Sequence, residues 1–494
     1  ALMVTSVSCS NINGVRVYQA DLPGVCCGTL VFGVGMRDEP ATLSGITHLL
    51  EHLLLRLMEQ ISVEHSAVVS DNSLTVYASG SADEVGQFFS DFTRAIGRLG
   101  EVTEQDLKFE KRIIRIEHPN NFDEPSAGLL TYRYGLHGVG LANFGSPSTM
   151  DMTREEVIDW AARWLRAENA SLAFSQTLPA TLDLSLPRGT VVHAELPDAL
   201  LVTPALVASA KGGVALSLLV PRDDVDLLQA ALEHELFMTL RHRRGLIYDV
   251  GTFTTPVDAE LSELVFVLDP EDKHIDTTVR LVSETFKEIA IAGFGKAATD
   301  SARIHGSAQA QRTFAGLDYL DRLAEDCLHG WSTRSPEQSF DDATAVTSEK
   351  LTRVLIGSAA SLIIAFNEDA TLSKKTLNSL ALSVTRLAPW QPVENDYSQP
   401  AASTAGSTWH AKGKKGTLIV TDTALFNIEA ARTRRILFED IVMAGDRSCG
   451  CLTLVDSQGR SIEFQADNWK RLKSLKSRLI ESLDPALIRS FPKH

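Results

Sequence analysis

The feature that most constrains the fold of this chain is a leucine-rich stretch with polar residues at helical spacing. Residues 45–60 read GITHLLEHLLLRLMEQ and contain His48, Glu51 and His52. Because a helix turns by about 100° per residue, His48 and His52 lie on one face and Glu51 lies beside them. The stretch is therefore either a buried helix whose histidines bond to backbone carbonyls or a helix that binds a metal ion.

The composition shows how rarely this pattern arises by accident. With 13 His and 63 Asp or Glu among 494 residues, a His-x-x-acid-His pattern is expected about 0.04 times in this chain. A catalytic zinc needs three protein ligands and an open position for water. The metal interpretation therefore predicts a third ligand elsewhere in the chain.

Length, charge and cysteine content limit the class of protein. The 494 residues, 44% of them hydrophobic, predict a globular protein of about three domains. The net charge of −16 argues against a general nucleic-acid binder and favours cationic partners. With no apolar run of about 18 residues and no signal-peptide pattern, we expect neither a membrane span nor export. The six scattered cysteines predict core residues in a reducing cytoplasm.

Strand and helix patterns occur twice along the chain in the same order, which predicts an internal duplication. A stretch rich in Pro, Ser and Thr then predicts a linker. Beyond it, short strand patterns end in an amphipathic helix. We therefore predict an α+β fold with a first domain over residues 1–185, a second over 186–385, a linker over 386–409 and a small strand-rich domain closed by a helix over 410–494.

The predicted C-terminal domain differs from the rest of the chain in charge. From residue 410 onwards, 15 Lys and Arg stand against 10 Asp and Glu, a net charge of +5 that leaves −21 for the remainder. Its pattern is similar to a pleckstrin-homology-like fold. A basic domain can contact an anionic membrane or the acidic remainder of the protein, and we favour an intramolecular or dimer-stabilising role over membrane contact.

Two glutamates in a later predicted helix are candidates for the third ligand. Glu110 and Glu117, in FEKRIIRIEHPNN, are seven residues apart and hence on one helix face. One can bind the metal while the other orients a neighbouring ligand. Alternatively, both are exposed acids that balance adjacent basic residues.

Together these features resemble the M16 family of inverted zinc metallopeptidases, and within it the M16B branch of mitochondrial-processing-peptidase-like proteins. The resemblance starts in GVGMRDEPATLSGITHLLEH, where Gly35, Arg37, Glu39 and Gly45 match the family's loop before the helix, and covers roughly residues 10–370. It implies two homologous domains in one chain, each with an antiparallel-rich sheet covered by helices.

The resemblance also implies a role for each residue of the metal site. His48, His52 and Glu117 would bind Zn²⁺ and leave a position for water. Glu51 would act as the general base, and Glu110 would orient a ligand.

A further match lies in the second half of the chain. In TLRHRRGLIYDVGT, Arg241 and Tyr248 match a pair that in the family contacts the substrate backbone and stabilises the tetrahedral intermediate, Tyr248 as a catalytic donor. Without the resemblance, they are an ordinary Arg at a helix terminus and a Tyr in a strand.

The resemblance implies a zinc-dependent endopeptidase that hydrolyses short or unfolded peptides, including leader or precursor segments, inside a dimeric chamber. Because zinc-site residues and the Arg241–Tyr248 pair occur on one chain, we favour a homodimer over a heterodimer. The alternative is a non-catalytic scaffold or partner subunit. The region after His52 favours that alternative, because it is shorter than in the family and leaves open whether the strand that pairs with substrate is present.

Overall fold

The structure is a computed structural model. It describes residues 6–58, 60–118, 128–142, 144–209, 212–367, 369–380, 406–413, 416–429, 432–459 and 461–492. These residues form two compact units. The first unit contains residues 8–19 and 23–200, here called the N-terminal lobe, together with residues 406–492, here called the C-terminal lobe. The second unit contains residues 6–7 and 20–22 together with the described residues of 201–380.

The N-terminal lobe is a six-stranded sheet with helices packed against it. The strand order is β1-β2-β6-β3-β5-β4, with β2 and β6 parallel and the other neighbours antiparallel. One apolar core lies between the sheet and its helices. In chain order the elements are β1 (Ser8–Ile12), β2 (Val15–Gln19), β3 (Cys26–Phe32), α1 (Ile46–Arg56), β4 (Glu64–Val69), β5 (Leu74–Gly80), α2 (Ala82–Ile96), α3 (Glu104–Glu117), α4 (Leu129–Tyr134), α5 (Arg154–Trp164) and β6 (Ala170–Phe174).

Three helices of this lobe begin where the sequence provides a capping residue. The hydroxyls of Ser81, Thr103 and Thr153 accept hydrogen bonds from backbone N–H groups in the first turns of α2, α3 and α5. In each case the acidic residue three positions later bonds back to the backbone N–H of the cap. These reciprocal bonds satisfy N–H groups that have no partner inside the helix, and so they fix the helix starts.

The second unit has a five-stranded sheet in the order β7-β11-β8-β10-β9. A π-helical segment, Phe237–His242, continues directly from α6. The elements are β7 (Ala205–Ser209), β8 (Val214–Pro221), α6 (Val225–Leu236), β9 (Val250–Pro256), β10 (Leu261–Leu268), α7 (Ile275–Ala292), α8 (Lys296–Gln311), α9 (Ala315–His329), α10 (Pro336–Thr344), α11 (Ser348–Ala359), β11 (Ile363–Asn367) and α12 (Lys374–Ser379).

The two large sheets have the same topology. Strands β7, β8, β9, β10 and β11 occupy the positions that β2, β3, β4, β5 and β6 occupy in the N-terminal lobe. The first and last strands of each set, β2 with β6 and β7 with β11, are the parallel pair. The first helix after the second strand of each set is α1 in one case and α6 in the other. This shared order fits the predicted internal duplication.

The C-terminal lobe contains two four-stranded sheets and one helix around its own apolar core. The sheet orders are β12-β13-β14-β15 and β18-β17-β16-β19. The elements are β12 (Ser407–His410), β13 (Gly416–Val420), β14 (Ala424–Glu429), β15 (Arg432–Leu437), β16 (Ile441–Arg447), β17 (Leu452–Asp456), β18 (Ser461–Phe464), α13 (Leu472–Glu481) and β19 (Ile488–Phe491). The sequence did not predict β19, which follows the helix and pairs in parallel with β16.

The predicted α+β fold is confirmed, with two sheet-and-helix domains and a small strand-rich C-terminal part. The proposed boundaries at residues 185 and 385 stay predictions, as does the pleckstrin-homology-like character of the C-terminal lobe. Most of the predicted linker over 386–409 lies outside the described residues, and β12 begins at Ser407. Among the described helices, none combines the length and apolar character needed to cross a bilayer.

Candidate metal centre

A buried carboxylate fixes the start of the helix that carries the histidines. Gly45 precedes α1 with a left-handed backbone (φ 96°), a conformation that glycine adopts without strain. The two carboxylate oxygens of Glu39 accept hydrogen bonds from the backbone N–H groups of Gly45 and Thr47, both at 2.9 Å. Burial is the main cause that raises the pKa of Glu39 to about 7, and the nearby charge of Asp38 adds to it. Glu39 therefore fixes the backbone of residues 45–47, directly before His48.

Three potential ligand atoms meet between α1 and α3. Nε2 of His48 lies 3.1 Å from Nε2 of His52. Oε2 of Glu117 lies 3.6 Å from the first of these nitrogens and 3.3 Å from the second. The three atoms form a nearly equilateral triangle, which the sequence alone could not show because 47 residues separate the end of α1 from the start of α3.

The size of this triangle matches one face of a zinc coordination tetrahedron. Ligand atoms about 2.0–2.1 Å from a tetrahedral ion lie about 3.3–3.4 Å from one another. The distances between the three ligand atoms, 3.1, 3.3 and 3.6 Å, are close to that value. Two imidazoles and one carboxylate are also a donor set that zinc takes in catalytic sites. The residues therefore fit the ion that the sequence predicts.

The two helices present facing rows of polar side chains. Residues 48, 52 and 56 lie at four-residue intervals on α1 and face the acidic residues of α3. Nδ1 of His52 lies 3.0 Å from Oε2 of Glu110. Arg56 donates from Nη1 to Oε1 of Glu110 at 3.1 Å and from Nε to Oδ1 of Asp106 at 2.8 Å. Because a carboxylate only accepts, Nδ1 of His52 is the donor and its Nε2 keeps a lone pair for the centre.

Burial changes the proton affinity of two residues of α1. It is the main cause that lowers the pKa of His48 to about 4, and the charges of His52 and His118 contribute to the same shift. The pKa of Glu51 is raised to about 7, chiefly by burial and also by the charge of Glu117, while His52 acts in the opposite direction. At neutral pH His48 is therefore uncharged, as a metal-binding imidazole must be.

The sequence did not single out two residues that border the centre. Arg56 anchors Glu110, and its position four residues after His52 is a signal that could have identified it. The ring of His118, directly after Glu117, lies 5.5 Å from the ring of His48, edge to face. His118 is exposed, and no spacing rule in the sequence connects it to His48.

The predicted substrate pair lies in the second unit. Arg241 is on the π-helical segment, and its guanidinium carbon is 6.0 Å from the ring centre of Tyr248. The backbone N–H of Tyr248 donates to Asp269 at 3.0 Å, and 79% of Tyr248 is exposed. The two side chains are thus neighbours and accessible. Their assignment to substrate stays a prediction, as do the assigned roles of the zinc-site residues.

A strand is present in the region after His52 where the sequence left one in doubt. β4 lies at the edge of the six-stranded sheet and pairs with β5 in antiparallel register from Glu64 to Val69. Four of its six residues are exposed. Among the described residues, the other side of β4 pairs with no strand, so it leaves backbone hydrogen-bonding groups free for an extended chain.

Comparison with known proteins supports the relationship that the sequence motifs indicate. Residues 222–304 match the family described as the peptidase M16 inactive domain. An uncharacterized zinc protease of Mycobacterium bovis is 26% identical over 179 residues, which is 32% of this chain and 41% of that protein. The chain thus spans about two fifths of the length of the curated relatives that it matches.

Solved structures show a similar fold over most of the chain. A protease from Helicobacter pylori has a TM-score of 0.58 at 15% identity and covers 73% of this chain and 98% of its own. A peptidase M16 inactive domain from Pseudomonas fluorescens has a TM-score of 0.57, also at 15% identity, and covers 75% of this chain and 100% of its own. At this identity the likeness concerns the fold alone. Residues 222–304 thus match the peptidase M16 inactive domain, and about a third of the chain is similar to a protein named as a zinc protease.

Proposed function

We propose that this protein is a zinc-dependent endopeptidase that hydrolyses short or unfolded peptides. The proposal rests on one observation. Three side-chain atoms, one each from His48, His52 and Glu117, lie as far apart as the ligand atoms of a zinc ion. When bound, zinc supplies a Lewis acid that polarises a peptide carbonyl and lowers the pKa of a water molecule. The relationship to proteins named as zinc proteases supports the choice of metal.

The residues of α1 and α3 then have separate tasks. Glu51 lies on α1 between the two histidines and is mostly buried, so its carboxylate is held close to the reacting atoms. It would take a proton from the attacking water and pass it to the leaving amine. Glu110 accepts the hydrogen bond of His52 and fixes the direction of that imidazole.

The peptide would bind as an extended chain along β4. This strand has an unpaired edge in the described part of the sheet, and adding a strand supplies main-chain hydrogen bonds without a demand on sequence. Such binding needs a substrate segment that has no secondary structure of its own. It therefore favours unfolded peptides, including leader segments. The acidic charge of the chain outside the C-terminal part, −21, favours cationic peptides.

Arg241 and Tyr248 would act as donors to the substrate backbone and to the oxyanion that develops during attack. Their proximity to each other and their exposure support a shared role. We further propose that two chains form a homodimer, because one chain carries both the zinc-site residues and this pair. We also propose a cytoplasmic location, since the six cysteines are free thiols.

A non-catalytic scaffold or partner subunit is the second candidate. The match to a domain described as inactive favours it. However, that match covers residues 222–304, whereas the metal-site residues all lie outside it, between residues 48 and 117. Measurement of zinc by mass spectrometry, together with cleavage of a quenched peptide library, separates the two. An endopeptidase gives one zinc per chain and cleavage that a chelator abolishes, whereas a scaffold gives no cleavage.

A further inference from the structure

The two lobes of the first unit share a buried apolar surface. Leu136, Leu141 and Phe144 of the N-terminal lobe form one cluster with Met443, Val455 and Phe491 of the C-terminal lobe. The backbone N–H of Leu136 also donates to the carbonyl oxygen of Ser457 at 2.7 Å. A surface that combines apolar burial with backbone hydrogen bonds holds the two lobes in one arrangement.

Beside this cluster, Arg489 of β19 binds two acidic residues of the N-terminal lobe. Its Nη1 and Nη2 donate to the two carboxylate oxygens of Glu156 at 2.7 and 3.1 Å. Nη2 also donates to the carbonyl oxygen of Asp151 at 3.2 Å, and the backbone N–H of Ser490 donates to the Asp151 carboxylate at 3.0 Å. Only 11% of the Arg489 side chain is exposed. A two-pronged, mostly buried pair of this kind fixes direction as well as distance.

The strand that carries Arg489 is held from inside the C-terminal lobe. β19 pairs with β16 from Ile488 to Phe491. Arg447, whose side chain is fully buried, donates to the carbonyl oxygen of Pro492 at 2.8 Å and lies 5.4 Å from the ring centre of Phe491. Arg489 is therefore presented by a rigid element rather than by a loose terminus.

Lys111 connects this contact to the helix that carries Glu117. Lys111 is a buried residue of α3, and its Nζ donates to the carbonyl oxygens of Met150, at 3.0 Å, and Met152. The residue between these two carbonyls is Asp151. The short segment 150–152 is therefore bound by α3 through its carbonyls and by the C-terminal lobe through Asp151.

A second connection runs to the helix that carries the histidines. Glu156 and Trp160 are four residues apart and lie on one face of α5. The indole Nε1 of Trp160 donates to the hydroxyl of Thr47 at 3.0 Å, and Thr47 directly precedes His48 on α1. The carboxylate that Arg489 binds thus belongs to a helix that contacts α1.

We propose that Arg489 is a positioning residue of the metal centre. Through Asp151 and Glu156 it holds α3 and α1 at the separation where the three ligand atoms meet. The inference rests on the proposed function only for the identity of the bound ion. The coupling between β19 and α3 exists in the metal-free protein and does not depend on that function. The C-terminal lobe is then a structural component of the centre.

The coupling is tested by hydrogen exchange on the full-length, metal-free protein. The variants are Arg489→Ala and Arg489→Lys, since lysine keeps the charge but cannot bind Glu156 and Asp151 together. We expect faster exchange in peptides of α3 for Arg489→Ala and an intermediate rate for Arg489→Lys. The matched control is Arg478→Ala, which removes another ion-paired arginine of the C-terminal lobe whose partners all lie in that lobe.

Metal affinity supplies the second measurement. Competition with a chromophoric chelator should show zinc binding about 10- to 100-fold weaker in Arg489→Ala than in the parent, the usual effect of losing a group that supports a ligand. Cobalt bound in place of zinc should show a changed visible absorption, because its spectrum reports the geometry of the ligands. Arg478→Ala should match the parent in both measurements.

Each outcome supports or overturns the inference. Exchange of α3 at the parent rate in Arg489→Ala overturns it, and so does faster exchange confined to β16 and β19, which is expected if Arg489 only stabilises its own lobe. If Arg489→Ala does not fold, hydrogen exchange of Arg489→Lys is used instead. Exchange of α3 at the parent rate in Arg489→Lys then overturns the inference. If the parent binds neither zinc nor cobalt while Arg489→Ala still loosens α3, the coupling stands and the proposed function fails.

Discussion

Nδ1 of His52 and Oε2 of Glu110 lie 3.0 Å apart, and the other oxygen of that carboxylate accepts a hydrogen bond from Arg56. The imidazole is therefore oriented by an acid that is itself held in place. We expect Glu110→Ala to weaken zinc binding about 10- to 100-fold, because His52 loses the partner that fixes its ring and raises its basicity. Chelator competition measures the change.

The matched control for this prediction is Glu104→Ala, which removes an exposed glutamate from the first turn of the same helix. Glu110→Gln should give a smaller loss than Glu110→Ala, since the amide oxygen can still accept from Nδ1. Equal zinc affinities in Glu110→Ala and Glu104→Ala would contradict the assigned role.

Glu51→Gln should separate metal binding from hydrolysis. The substitution keeps the shape of a buried side chain but removes the group that accepts a proton. We expect zinc content equal to that of the parent and a peptide cleavage rate lower by about 10²- to 10⁴-fold. Cleavage at the parent rate would show that another residue is the base.

Glu39 makes stability depend on pH. Its pKa rises from 4.5 in the unfolded chain to about 7 in the folded protein, chiefly through burial, so between these pH values the folded state binds a proton that the unfolded state lacks. Its contribution to the free energy of unfolding is therefore complete below pH 4.5 and is lost as the pH rises through 7.

We expect the free energy of unfolding of the parent, relative to that of Glu39→Gln, to fall by up to about 1.4 kcal/mol per pH unit in this interval. Urea unfolding of both proteins at pH 5 and pH 8 measures the difference. If the free energy of unfolding of the parent, relative to that of Glu39→Gln, stays constant or rises between pH 5 and pH 8, the raised pKa of Glu39 is contradicted. Glu39→Ala should lose a further 1–3 kcal/mol, roughly, because two backbone N–H groups at the start of α1 lose their acceptor.

Tyr248→Phe should slow hydrolysis without releasing zinc. Removal of one donor to a developing oxyanion costs about 10²- to 10³-fold in kcat. Tyr319→Phe, a half-buried tyrosine on α9 of the same unit, is the control and should behave as the parent. A loss of zinc in Tyr248→Phe would assign this residue to the metal site instead.

Mixing inactive variants tests the homodimer. If the active site uses residues of two chains, a Glu51→Gln chain paired with a Tyr248→Phe chain should form one complete site, and activity should rise well above that of either variant alone. Each variant mixed with itself is the control. Activity that stays at the level of the single variants would argue against shared sites.

The helical part of the centre could be predicted from the sequence because the helix repeat of about 3.6 residues per turn determines which side chains share a face. Spacing alone predicts that His48 and His52, and likewise Glu110 and Glu117, share a helix face, and the structure places the first pair on α1 and the second on α3. The same rule, extended by one turn, reaches Arg56. That α1 and α3 face each other, however, depends on how the helices pack on the sheet, and no local pattern encodes it.

Strands with little apolar alternation could not be predicted in this way. One face of β4 is exposed and the other is only partly buried, through Ala67 and Val69, so its sequence, EHSAVV, lacks the clear alternation that marks a strand. β19 has only four residues and depends on the buried side chain of Arg447 and on pairing with β16. Its two acidic partners, Asp151 and Glu156, stand far away in the sequence. Contacts of this kind depend on the tertiary structure. Composition shows only that a basic C-terminal part is attracted to an acidic remainder, not which residues pair.

The pairing of Arg489 with Glu156 also has a consequence for synthesis, because 333 residues separate the two. A ribosome that adds about 5–20 residues per second needs roughly 17–67 s to cover that distance. The N-terminal lobe emerges and can bury its own core well before its distant arginine partner has been translated. Under the proposed role of Arg489, the side chains of the metal centre would reach their final positions only after the C-terminal lobe has been translated.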